Sequence, residues 1–205
     1  METWDLLRNA WFLLIGILFA GYSILDGFDL GVGALLPFLA KSEDDKRALI
    51  GAVGPVWDGN EVWLLAGGGS LFAAFPMAYA TVFSGFYLAL MLVLFSLIMR
   101  AVSLEFRAHD RARKGLWEAA FVGGSLLPAI LFGVALGNVV VGVPLDARGE
   151  FTGSFFTLLR PLPLVFGVLG LCAFLLHGAA YAALKTEGDL GRRARKTALK
   201  LAFAF

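Results

Sequence analysis

Residues 10–40 read AWFLLIGILFAGYSILDGFDLGVGALLPFLA. The run outlasts the roughly 20 apolar residues that a helix needs to cross a bilayer, so it can tilt or project. It nevertheless carries Asp26 and Asp29 in its second half. Four more apolar runs follow, at about 48–71, 77–99, 116–143 and 163–184. A sixth begins at Thr197 and is cut at Phe205, which reads as a fragment of a longer chain. Composition agrees: 59% of the 205 residues are hydrophobic, 16% are charged, and mean hydropathy is +0.79. A soluble domain sits nearer about a quarter charged. The 25 glycines suit spans that pack closely. A transmembrane barrel would need segments of about 10 residues alternating apolar and polar, and none occur. The expected fold class is therefore all-α, a polytopic transmembrane helix bundle.

The connections between runs alternate in charge. Lys41, Lys46 and Arg47 follow the first run. Arg100, Arg107, Arg111, Arg113 and Lys114 follow the third, and Lys185, Arg192, Arg193, Arg195, Lys196 and Lys200 the fifth. These make 14 of the 17 basic residues, leaving Arg8, Arg148 and Arg160 for the other side. The positive-inside rule makes the first side cytoplasmic and the N-terminus external. The start, METWDLLRNAW, lacks a basic leader and a small-residue cleavage site, so the first span is expected to be retained. Net charge is +1, and no nucleic-acid partner is expected. Cys172 is the single cysteine, which rules out an internal disulfide. No repeat of 20 to 50 residues marks a solenoid. The longest external link, VPLDARGEFTGSF, reads as a plain connector, and Pro128 is expected to kink the fourth span.

Carboxylates inside the spans need a reason. Asp26 and Asp29 are three residues apart and share a helix face. Asp26 precedes Lys41 by 15 residues, about 22 Å of helix, which places it near mid-bilayer. In GPVWDGNEVW, residues 54–63, Asp58 and Glu61 form a second such pair, flanked by Trp57 and Trp63 with Asn60 between. On a continuous helix Asp58 lies about 16 Å in from Arg47. Glu105 lies just past Arg100, close to the cytoplasmic surface. Each carboxylate deep in a span costs about 2.5–3.5 kcal/mol on insertion scales, and such groups commonly mark an ion or proton path. The competing reading is hydrogen bonding across helices or capping of broken ones. Gly27 and Gly31 form a small-xxx-small pair, continued by Gly33. AGGGS at 66–70 is expected to end or bend the second span.

Metal chemistry has little to work with. His109 falls in a basic loop, and His177 has no second His or Cys at ligand spacing. Met77, Met91 and Met99 read as packing. AGGGS is not followed by GK[ST], so no phosphate cradle is expected.

DGFDLGVG, GPVWDGNEVWL, FAAFP, SGFY and RAVSLEFR occur in this order. Together they resemble subunit II of cytochrome bd-type quinol oxidases, the cyanide-insensitive variant included, from about Trp11 to at least Leu184. The resemblance implies eight spans in two four-span halves. Residues 1–143 would form the first repeat; 144–205 would supply an external loop, a fifth span and the start of a sixth. It implies a plasma-membrane heterodimer with a haem-bearing subunit I, which holds haems b, haem d and the quinol site. This chain would bind no haem itself and would not be catalytic alone. A structural quinone occurs in some members, and a small accessory subunit is left open. The resemblance also implies that Asp58 and Glu105 match acidic positions of a cytoplasmic proton path, the second being Asp in some relatives. Trp57 matches a motif tryptophan. Asp26 and Asp29 match the DGFD segment, as relay or as structure, and some members also provide an oxygen route. The expected mechanism passes protons from Glu105 to Asp58 and on to the haem subunit. Without the resemblance, half of a proton- or ion-coupled transporter suits the carboxylates and glycines equally, and a structural scaffold is the third option.

Overall fold

A computed structural model describes residues 3–204. The described chain is helical apart from short links and one long link after residue 141, which holds an isolated bridge between Leu145 and Phe151. Eight α-helices follow in order: α1 Thr3–Leu39, α2 Glu43–Val53, α3 Trp57–Ala74, α4 Pro76–Gly85, α5 Tyr87–His109, α6 Lys114–Val141, α7 Pro161–Lys185 and α8 Gly188–Ala204. Four of them, α1, α5, α6 and α7, are each long and apolar enough to cross a membrane. The molecule is an all-α, multi-pass membrane protein.

Two expected spans are divided, for local reasons. The run at 48–71 is not one helix. Pro55 has no N–H to donate to the carbonyl of Gly51, so the ladder stops and a turn separates α2 from α3. The estimate that counted 16 Å of continuous helix back from Asp58 therefore fails. The run at 77–99 is broken at Phe86, between α4 and α5. AGGGS neither ends nor interrupts its helix: α3 runs through it to Ala74, with Gly67 buried against the Phe19 ring. α6 also continues through Pro128.

The charged connections are more ordered than their composition foretold. KSEDDKR is not a loop. Ser42 and Asp45 form a reciprocal capping box that starts α2 at Glu43. The third connection shrinks to Asp110 and a single 3-10 turn at Arg111–Arg113, because α5 runs on to His109. The helix expected to start at Thr197 begins at Gly188, with Leu190 and Ala194 in the core.

α1 and α7 cross where Gly31 meets the Phe174 carbonyl and Gly178, so their backbones touch without intervening side chains. Gly27, one turn earlier, faces the Phe174 ring. The main apolar core gathers Val32, Leu35, Leu36 and Leu39 of α1 with Leu49, Val53, Phe121, Ala179, Ala182 and Leu190. A smaller one joins Leu30 to Val93, Leu97 and Leu131. At the other end, fully buried Asn138 donates to the carbonyls of Val134 and Leu158, and Arg160 donates to Gly142. The long link after α6 is thus tied down at both ends.

Candidate functional site: a buried ionic pocket

Asp26 and Asp29 lie one turn apart on α1, and both are buried. α3 packs beside them and presents Asn60 and Glu61; α5 sends in Arg100. Arg100 is buried with 1% exposure, and its Nη2 donates to Asp26 Oδ1 at 2.5 Å. The same Nη2 lies 3.3 Å from Glu61 Oε1. Asn60 Nδ2 donates to Asp29 Oδ2 at 2.7 Å and to the Leu25 carbonyl at 3.2 Å. The Tyr22 hydroxyl is buried in the same pocket. One cation and one amide thus serve three carboxyl groups.

The position of Arg100 corrects the charge map. The sequence places it in the third basic connection, yet it sits inside α5, where Gly124 of α6 lets the two backbones approach. The signal was present. Val93, Ser96, Arg100, Ser103 and Arg107 recur every three or four residues, and all are buried on one face. Read by period, RAVSLEFR continues the helix and turns two arginines inward. Tyr22 was also missed; nothing in its neighbourhood of the sequence sets it apart.

The other expected residues fall in graded positions. Asp58 is exposed in the first turn of α3, Trp57 beside it is half-buried, and Glu61 is half-buried. Trp63 is half-buried against Gly21 of α1. Glu105 is exposed on α5. Five residues separate it from Arg100, about 140° of helix rotation, so it points away from the pocket. The structure brings Asp26, Asp29, Asn60 and Glu61 together and leaves Glu105 outside that group.

A second ionic cluster closes the basic end of the bundle. Glu43 accepts from Arg107 and Lys114, and Glu118 accepts from Arg107 and Lys46. Asp45 accepts from Arg193 at 2.7 Å, and Arg193 also donates to the Leu39 carbonyl. The Lys114 hydrogen bond, with the Arg107 charge, holds the Glu43 carboxyl below its usual range. The backbone N–H of Lys41, aided by Arg193, does the same for Asp45. These pairs pin α2 and α8 to the ends of α1, α5 and α6.

The two histidines each spend one ring nitrogen on a backbone carbonyl. His109 Nδ1 donates to the Glu105 carbonyl, and His177 Nε2 donates to the Ile24 carbonyl. Among the described residues no group of three His, Cys, Asp or Glu is placed to hold a metal ion.

A bundle of apolar spans enclosing a carboxylate-rich pocket around one arginine defines a polytopic membrane protein with buried charged groups among its helices. Cytochrome bd terminal oxidase subunit II is the family whose pattern matches residues 7–205, and the chain belongs to it. The chain is 42% identical over 204 residues to cytochrome bd-I ubiquinol oxidase subunit 2 of Escherichia coli K12, covering 97% of this chain and 54% of that protein. It is 44% identical over 201 residues to a probable cytochrome oxidase subunit 2 of Haemophilus influenzae, covering 95% and 53%. With cytochrome bd ubiquinol oxidase subunit 2 of Bacillus subtilis it shares 40% over 197 residues, covering 95% and 58%. The chain spans about half the length of the curated relatives it matches.

Proposed function

We propose that the chain is the first four-span repeat, with part of the second, of the haem-free subunit of a quinol:oxygen oxidoreductase in the plasma membrane. It packs against a haem-bearing subunit I, which holds haems b and d and takes the quinol. Its N-terminus is external. The basic residues support that orientation even with Arg100 removed from the count, because the remainder still gather at the end that holds α2 and the start of α8. The chain alone is not catalytic.

Its task in the complex is to admit protons from the cytoplasm. The order of exposure along α3 and into α1 carries this reading: Asp58 is exposed, Glu61 half-buried, Asp26 sealed. A proton entering at Asp58 meets Glu61 one turn further, then the pocket around Asp26 and Asp29. Glu105 points away from that pocket, so it serves as a surface collector whose link to Asp58 runs over the outer face of the bundle. The test is Asp58→Asn in the assembled oxidase. Quinol oxidase turnover should fall while the haem spectrum is unchanged; full turnover in that variant counts against the relay.

A further inference from the structure

The turn between α2 and α3 carries the chain to Asp58 and has little of its own to hold it. Gly54, Pro55, Val56, Asp58 and Gly59 are all exposed. Val56, where α3 starts, brings no side-chain cap. Pro55 leaves the Gly51 carbonyl without its usual donor, and the Val56 N–H turns to the Val53 carbonyl at 3.0 Å rather than to Ala52. A side chain from another span takes the Ala52 carbonyl instead. The Tyr181 hydroxyl of α7, 129 residues further along the chain, donates to it at 2.9 Å. The Tyr181 ring is itself fixed. It stacks on Phe28 of α1, with centroids 4.0 Å apart and planes 16° from parallel, and Lys185 Nζ stands 5.7 Å from its centroid. On the far side of the turn, Asn60 donates to the Leu25 carbonyl and to Asp29. Two side-chain hydrogen bonds to other spans therefore bracket residues 54–59, one reaching α7 and one α1.

We propose that Tyr181 is a positioning residue: its hydroxyl clamps the end of α2 and so fixes where Asp58 stands relative to Glu61. A helix ends in carbonyls that need partners, and an end without them frays. With the Tyr181 bond in place, the last turn of α2 and the turn after it keep one arrangement. Without it, Asp58 swings with a loosened segment, and a transfer that depends on alignment slows. Tyr181 carries no proton itself; it acts through Asp58. The fifth span thereby does more than pack against α1 at Gly31 and Gly178, since it also sets the geometry of a turn formed by the second expected span. The inference rests on the proton-entry reading for the task of Asp58, and on the hydrogen bonds alone for the clamp.

The test uses the full-length oxidase complex and Tyr181→Phe, which keeps the ring against Phe28 and removes only the hydroxyl. Hydrogen–deuterium exchange of the peptide spanning 53–61, which contains the bonded amides of Gly54, Val56 and Asn60, should quicken about two- to tenfold, the worth of one hydrogen bond. The kcat should fall by about the same factor, with the KM for quinol and the haem spectrum unchanged. Added to Asp58→Asn, Tyr181→Phe should slow turnover no further, because it acts through that carboxyl. Unchanged exchange in Tyr181→Phe overturns the clamp. An unchanged kcat, or a full further loss on top of Asp58→Asn, overturns the positioning role, since a merely structural hydroxyl would cost both backgrounds alike. The relay fails separately: full turnover in Asp58→Asn with faster exchange in Tyr181→Phe removes proton entry at Asp58 and leaves the clamp.

Discussion

Arg100→Met tests the energetics of the pocket most directly. The methionine keeps much of the length of the side chain and removes its charge and donors. Asp26 Oδ1 then loses the guanidinium that donates to it, in a position with no exposure, and Glu61 loses the cation 3.3 Å away. Removing one member of a buried pair costs about 3–5 kcal/mol, because the other charge is left uncompensated. Asp26→Leu should cost less, since the stranded guanidinium can still turn to Glu61. The double variant should cost less than the sum, because an apolar pair of similar volume often replaces a buried ion pair at little loss. A coupling of up to about 3 kcal/mol is expected. Equilibrium unfolding of the detergent-solubilised complex, followed by tryptophan fluorescence, measures all three variants. Losses that add within about 0.5 kcal/mol would show that the two side chains do not act on one another, and the pocket as described would be wrong.

Two further outcomes concern packing and charge. A Cβ at Gly178 would overlap the backbone of Gly31 and Val32, which cannot turn aside, so Gly178→Ala should destabilise by about 1–3 kcal/mol. Gly68→Ala, facing open space in α3, should be neutral or slightly stabilising; equal thermal shifts in the two would discount the close crossing. Glu43 has its carboxyl held below the ordinary 4.5 by Lys114 and Arg107, so it stabilises the fold above that value and loses this as pH falls through the folded one. Wild type should therefore unfold at a higher temperature than Glu43→Gln at neutral pH, with the gap closing below about pH 4. A gap that stays constant down to about pH 3 would refute the sign.

The spans were legible because hydrophobic runs of this length have one stable solution in lipid, a helix with all backbone groups paired internally. Where the reading slipped, one residue decided. Pro55 splits a run whose apolar content gives no warning, and Ser42 with Asp45 turns a charged stretch into the first turn of a helix. Asp26, Asp29 and Glu61 were found by their cost in the bilayer. Asn60 was given only a supporting place beside the carboxylates, although it is the donor that binds Asp29. Arg100 was misplaced because a basic residue at the end of an apolar run reads equally as an anchor in water or as a partner within. Periodicity separates the two, composition does not.

That distinction changes what the carboxylates mean. Four of them unpaired would need a continuous wet passage, since each would stand alone against lipid. With Arg100 inside, Asp26 is neutralised in place and Asp29 is held by Asn60, while Glu61 keeps partial contact with the surface and Asp58 is exposed. The interior then asks for water at one pocket, not along a whole span. Above Asp26 toward the N-terminus of α1, the buried side chains are Tyr22 and Ile15, and the latter offers no polar atom. Below Asp29, Leu30, Val32, Leu35, Leu36 and Leu39 fill the helix face down to α2. A proton reaching the pocket through α1 would have to cross that apolar stretch. Through α3 it has Asp58 and Glu61 in sequence. On the proposed reading the acidic side chains of α3 are therefore the entrance, not the apolar face of α1.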